Sequence, residues 1–203
     1  KIGEQSFTGS QNIQQISITG INISTSSSSF YSCSSFGVAI IKANEIQFGV
    51  NTFSSLSNSK CLKIDCSHAT FAQNTFISCN NFENIEFKCN IISLPSYTFN
   101  SCTNLYNITF NADNINTTGA QVFYRCGGNQ NITFLCNNIT FSYQSFYSCT
   151  SLLKLVIKSN IINIGNNAFQ SCPNLHYVSF EANNVTLGNN AFISCENLFI
   201  LEY

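Results

Sequence analysis

Phe169-Gln170-Ser171-Cys172 is followed 23 residues later by Phe192-Ile193-Ser194-Cys195, and this Phe-x-x-Cys unit recurs along the chain. Working back from it, the same unit starts at Phe146, Phe123, Phe99, Phe76 and Phe30, ending on Cys149, Cys126, Cys102, Cys79 and Cys33. Two degenerate copies fill the gaps: Phe7 with Ser10, and Phe53 with Leu56. The phenylalanines therefore stand at 7, 30, 53, 76, 99, 123, 146, 169 and 192, with every step 23 residues except one of 24. The extra residue falls between Thr117 and Phe123, where a small bulge is expected. A fixed period of this length is the signature of a solenoid, in which each repeat is one coil.

Further columns follow from the same register. Three residues after the Cys position comes an apolar anchor, as in Ile13, Phe36, Phe82, Leu105, Leu152, Leu175 and Leu198. Six and eight after it come pairs such as Leu62/Ile64, Ile85/Phe87, Ile108/Phe110 and Val178/Phe180. This alternation reads as a half-buried strand. Ten after it the residue is always small (Gly20, Ala43, Cys66, Cys89, Ala112, Cys136, Ser159, Ala182). It shares the parity of the buried pair, so it is expected inside, where space is short. Thirteen and fifteen after it, Ile46/Phe48, Ile92/Leu94, Ile139/Phe141 and Ile162/Ile164 make a second short extended segment.

One such coil cannot bury its own apolar face, whereas stacked coils share a continuous core. Parallel strands stack about 4.8 Å apart, so nine coils would make a rod or shallow arc roughly 40 Å long. The chain is thus expected to be a single array over 1–203. It opens inside a unit at Ile2-Gly3, stops on a strand at Leu201–Tyr203, and contains no Met. Solenoids normally carry capping units at their ends, so further repeats or a partner are expected beyond both ends, with this chain an interior part of a longer array.

The run Ile164-Gly165-Asn166-Asn167-Ala168-Phe169-Gln170-Ser171-Cys172-Pro173-Asn174-Leu175, and its copy from Leu187-Gly188 to Leu198, resembles the BspA-like leucine-rich repeats of anaerobic bacteria and protists. The resemblance covers essentially the whole chain. It implies a right-handed leucine-rich-repeat solenoid with a parallel sheet on its concave face and short extended segments and helical turns on the other sides. It also implies a surface adhesin or protein-binding array, located at the cell surface or outside the cell. The chain departs from the pattern in mostly lacking the proline after the strand. The third coil, with Phe53, Leu56 and Ser59, has lost both Cys and Leu.

Composition narrows the function. The 203 residues are 44% hydrophobic and only 8% charged, with a formal net charge of −1 and eight Lys plus Arg. A nucleic-acid partner requires a basic surface that releases counterions from phosphates, and these scattered cations do not form one. No apolar run approaches the roughly 18–20 residues of a membrane span. Of the eleven cysteines, seven form the ladder Cys33, Cys79, Cys102, Cys126, Cys149, Cys172 and Cys195, and three sit in the small column. They read as small buried hydrophobes. Reduced thiols favour a cytosolic or anaerobic setting, which supports the alternative of an intracellular cytoskeletal or organelle scaffold.

No site for chemistry emerges. Cys61, Cys66 and His68 suggest a metal cluster, but Cys61 and Cys66 are five apart on a strand and point to opposite sides, whereas zinc ligands must converge. There is no C-x-x-C, phosphate loop, G-x-S-x-G or H-E-x-x-H. The expectation is a non-enzymatic protein with no cofactor and no metal. Six N-x-S/T sequons, at Asn22, Asn107, Asn116, Asn131, Asn138 and Asn184, are about what chance gives in so Asn- and Ser-rich a chain.

Binding is expected on the outward strand positions, five, seven and nine after the Cys column. Near the C-terminal end these read Leu135, Lys154, Val156, Lys158, Tyr177 and Ile200. Apolar and aromatic anchors ringed by polar groups have the composition of a protein interface, so a protein partner is expected there. Strand propensity alone also favours Val, Ile and Tyr.

Overall fold

The computed structural model describes residues 1–33, 36–80, 82–127 and 130–202. The side chains of Phe36, Gln130 and Asn131 lie outside that description, and with them the core place expected of Phe36 and the outward place expected of Asn131. The chain is a parallel β-solenoid of about eight turns. Its strands are β1 (Ile13–Thr19), β2 (Asn22–Ser24), β3 (Phe36–Phe48), β4 (Cys61–Phe71), β5 (Asn84–Leu94), β6 (Asn107–Thr117), β7 (Gln130–Phe141), β8 (Leu152–Lys158), β9 (Ile161–Ile164), β10 (Tyr177–Glu181), β11 (Asn184–Leu187) and β12 (Ile200–Glu202). The order β1-β3-β4-β5-β6-β7-β8-β10-β12 follows the chain, and every pairing is parallel. Register is one repeat: Val38 faces Cys61, Cys61 faces Asn84, and Asn84 faces Asn107.

Two extended segments with opposite parity share one core because the chain turns a corner between them. Pairing runs through Ala43↔Cys66 and resumes at Glu45↔His68, leaving Asn44 and Ser67 outside the ladder. The corner column is Asn44, Ser67, Asn90, Asp113, Asn137, Asn160 and Asn183. Asn and Asp suit such a corner because their side chains bond from coil to coil: Asn137 Nδ2 donates to Asp113 Oδ1 at 3.2 Å and Asn160 Nδ2 to Asn137 Oδ1 at 3.5 Å. In β3 to β7 the two segments form one continuous bent strand. Elsewhere they separate, as in β8 and β9. The small column lies inside, as its parity suggests, at the edge of the core against this corner. Cys66, Cys89, Ala112 and Ser159 are buried, Ala43, Cys136 and Ala182 are half-buried, and Gly20 is exposed.

The third side contains no helix among the described residues, in contrast to the helical turns expected from the family resemblance. Its backbone explains the difference. Residues two before and two after each ladder Phe are left-handed, as at Asn74 (φ 60°) and Ser78 (φ 56°) around Phe76. Left-handed residues four apart break any α-helical run. Alternate N–H groups instead reach the next coil: Phe76 N donates to Thr98 O at 2.8 Å and Ser78 N to Asn100 O at 2.9 Å. Those between close local turns, with Ile77 N donating to Asn74 O at 3.1 Å. The residue before the Phe is often Ser or Thr, whose buried hydroxyl donates three residues back. Thr75 Oγ1 reaches Ala72 O at 2.7 Å and Thr98 Oγ1 reaches Pro95 O at 2.8 Å.

The 24-residue step sits on this side, within 118–120. Up to Thr117 the register with the previous coil is 23 residues, and from Gln121 onward it is 24. Gly119 is needed there, since a Cβ would lie 2.1 Å from the Ser96 nitrogen. The hydroxyl of Ser142 in the next coil donates to the Gly119 carbonyl.

Inside, side chains of one column touch from coil to coil. The ladder phenylalanines stack in an unbroken column from Phe7 to Phe192, with neighbouring centroids 4.5 Å apart (Phe123–Phe146) to 5.4 Å (Phe30–Phe53). Phe87, Phe110 and Phe134 form a second column at 4.8 and 4.9 Å. Its rings meet the first edge-on, for example Phe99–Phe110 at 89°. Both arrangements are favoured by the ring quadrupole.

The ladder cysteines fill the space beside these rings and also donate hydrogen bonds. Cys102 Sγ donates to Phe76 O at 2.9 Å, Cys126 Sγ to Phe99 O at 2.8 Å and Cys149 Sγ to Phe123 O at 2.8 Å. Cys33, Cys79, Cys172 and Cys195 make the same bond to the Phe carbonyl of the preceding coil. The Phe-x-x-Cys unit therefore couples coils twice, through the ring and through the thiol. Cys195 is half-buried and the other six are buried.

Candidate interaction surface

Outward positions of the first strand segment line up across coils because the register is an exact repeat of the sequence period. Lys154 faces Tyr177 and Tyr177 faces Ile200; Leu135 faces Lys158, and Val156 faces Ser179. The six residues singled out from the sequence thus share one sheet face over β7, β8, β10 and β12. Lys154, Lys158 and Ile200 are exposed, and Leu135, Val156 and Tyr177 are half-buried. Ser179 lies on the same face but is buried beneath its longer neighbours.

Tyr177 is held at both ends. The Lys154 ammonium lies 4.6 Å from its ring centroid, and its hydroxyl donates to Glu202 Oε2 at 2.8 Å. Lys158 pairs with Glu181 at 2.8 Å. Each contact is exposed and contributes at most about 1 kcal/mol. Together they fix the Tyr177 ring in one orientation.

Apart from Val38 and Ile40 on β3, the rest of this face is mostly polar. Lys63 pairs with Glu86 at 3.2 Å and Lys42 with Asp65 at 3.9 Å. Bonding to Glu86 holds the Lys63 ammonium above its ordinary range. Asn107 Nδ2 donates to Asn84 Oδ1 at 3.2 Å. Cys61 stands among these residues, half-buried between Val38 and Asn84, and partial burial pushes its thiol up against the pull of Lys63. Cys66 lies on the other side of the strand, and His68 Nδ1 is 2.7 Å from Glu45 Oε1. Cys61, Cys66 and His68 therefore do not converge.

One surface feature was not read from the sequence. On the turn side Tyr124 and Tyr147 stack at 5.6 Å with their planes 2° apart, and the Arg125 guanidinium lies 5.0 Å from the Tyr124 ring centroid. The signal was present in the repeated Phe-Tyr of Phe123-Tyr124 and Phe146-Tyr147, one residue past the buried ring.

The model of the BspA type leucine rich repeat region matches residues 1–91 and 69–199, in six copies. The chain belongs to this family. The matched segments include every coil whose phenylalanine joins the stacked column. No curated protein and no solved structure matches this BspA-type chain. Leucine-rich-repeat solenoids are typically non-enzymatic protein-binding modules, and the BspA type is often surface-associated. Among the described residues of the BspA-type array, no helix is long and apolar enough to cross a membrane.

Proposed function

We propose that this BspA-type array is a protein-adhesion module at a cell surface, working as one unit over 1–203, with the first-segment sheet as its concave binding side. The observation that supports it is the alignment of Lys154, Val156, Lys158, Tyr177 and Ile200 on adjoining strands, with Tyr177 held between Lys154 and Glu202. Four strands about 4.8 Å apart, each contributing about five residues at roughly 3.3 Å, cover only about 320 Å². A specific interface needs about 800 Å² per partner. Tyr177 and its neighbours therefore act as the anchor, and the polar coils toward β3 supply the rim.

A second reading is favoured by the cysteines. All eleven are free, and the ladder thiols donate hydrogen bonds that require the proton. A reducing interior suits that state, which supports an intracellular scaffold. Immobilised chain and the double variant Tyr177→Ser/Val156→Ser would be compared on separate cell-surface and cytoskeletal fractions, with Thr109→Ser as a control. Adhesion predicts capture from the surface fraction that the double variant loses and the control keeps. Capture confined to the cytoskeletal fraction would replace adhesion with the scaffold reading, and equal capture by the double variant would remove this patch.

A further inference from the structure

Ten of the eleven cysteines stand in the two repeat columns. Ladder thiols also hydrogen-bond to one another, as Cys102 does to Cys79 and Cys126, but among the described residues only Cys66 and Cys89 are direct register partners on neighbouring strands. Cys66 of β4 is the direct partner of Cys89 of β5, and their Sγ atoms are 2.9 Å apart. Direct partners in a parallel ladder have Cα atoms about 5 Å apart, inside the roughly 4.4–6.8 Å that a disulfide spans. Next in the column comes Ala112, so Cys136 has no thiol as its register partner on that side.

The pair also differs from the ladder in access. Cys79, Cys102, Cys126 and Cys149 have no exposure, and each donates to a Phe carbonyl. Cys66 and Cys89 keep 8% and 6% exposure and line a groove of about 400 Å³ at the corner of the coils, beside Asp65, Lys88 and Leu135. A small reagent entering that groove would meet the wall these two residues form.

We propose that Cys66 and Cys89 form a reversible redox staple between the third and fourth strands of the main sheet, closed by a low-molecular-weight disulfide. In the first step Cys66 loses its proton and its sulfur attacks one sulfur of R–S–S–R. That bond breaks, and R–S⁻ leaves and takes up a proton. Cys89 then loses its proton and attacks the Cys66 sulfur of the mixed disulfide, expelling the second R–S⁻, which is protonated in turn. Two protein thiols are oxidised to one disulfide, and one R–S–S–R is reduced to two R–SH. Contact with the Cys66 sulfur and burial hold the Cys89 thiol above its ordinary range, which assigns it the second step. Closure fixes two adjoining coils at the groove and removes both thiols from its wall.

The test uses the whole folded chain, oxidised glutathione as the reagent, acid quenching, alkylation and peptide mapping. The expected product is a cross-linked peptide joining Cys66 to Cys89, with a rise in Tm of about 5 °C that a reductant reverses. Cys89→Ala should fold, because Ala43 and Ala112 occupy the same column, and should trap Cys66 as a stable mixed disulfide with glutathione. Cys66→Ala, which lacks the attacking thiol, should leave Cys89 unmodified. Bonds to Cys61 or Cys136, mixed disulfides without ring closure in the wild type, or no reaction by the folded protein would each overturn the proposal.

Discussion

Removing one ring from the middle of the phenylalanine column should cost far more than removing one from its first position. Phe99 has no exposed surface. It stacks on Phe76 at 4.8 Å and Phe123 at 5.0 Å, and it meets the edges of Phe87 at 6.3 Å and Phe110 at 6.1 Å. Backbone ladders on three sides set the spacing of its neighbours, so the cavity left by Phe99→Ala cannot collapse. A buried Phe→Ala change costs about 3–5 kcal/mol, the upper end applying where relaxation is blocked. The expected loss is therefore about 4–5 kcal/mol. Phe7 is 43% exposed and, among the described residues, stacks on Phe30 alone, at 5.0 Å. Phe7→Ala should cost about 1–2 kcal/mol.

The assay is urea unfolding followed by circular dichroism, paired with hydrogen exchange read by peptide mass. In a solenoid each coil touches only its neighbours. Exchange in Phe99→Ala should therefore accelerate in β5 to β7, by about a thousand-fold for a 4 kcal/mol loss, and much less in β10 and β11. Equal losses for the two variants, or acceleration spread evenly along the chain, would refute nearest-neighbour stacking as the source of stability.

Other predictions follow from single positions. Tyr97 is left-handed at φ 62°, which costs a non-glycine residue about 1–2 kcal/mol. Tyr97→Gly should raise stability by about 0.5–1 kcal/mol after the entropy of glycine is subtracted, seen as a higher urea midpoint. Ser59 stands in the apolar anchor column, and its hydroxyl is buried with no hydrogen-bond partner among the described residues. Ser59→Ala should stabilise by about 1–2 kcal/mol; a loss of stability would show that the hydroxyl is satisfied. Burial pushes the thiols of Cys79 and Cys126 well above their ordinary range. Raised folded-state values contribute full stability below the unfolded thiol value of about 8.5, and that stability is lost as pH rises above it. The unfolding free energy should fall above about pH 8.5, by about 1.4 kcal/mol per pH unit for each such thiol. A level profile through about pH 10 would contradict this.

The repeat itself was legible because the buried columns are written directly in the sequence. Phe, Cys and the alternating aliphatic pairs recur at fixed offsets, and those offsets are the strand register. What escaped the reading lies in the backbone. The corner at Asn44, Ser67 and Asn90 has no hydrophobic signature, so the inward place of Cys66 and Cys89 was legible but the groove they line was not. Left-handed residues at Asn74, Tyr97 and Gln121 share no side-chain type that marks them, so helical turns were expected from the family where alternate N–H groups in fact cross to the next coil. The thiol-to-carbonyl bonds were equally hidden. Cysteine was read for its size, and its donor role depends on a Phe carbonyl 26 residues earlier, as in Cys149 to Phe123. Of the proposed binding face, the columns and their alignment were readable. The clamp on Tyr177 was not, because it joins Lys154 and Glu202 from different coils.

The most direct measurement is native-state thiol labelling, position by position, with a small alkylating reagent. Cys61, on the outer face, should react at once, while Cys79, Cys102, Cys126 and Cys149 should react only as fast as their coils open. Ladder thiols that label at the rate of Cys61 in the folded chain would contradict a dry interior in which rings and thiols from successive coils interlock.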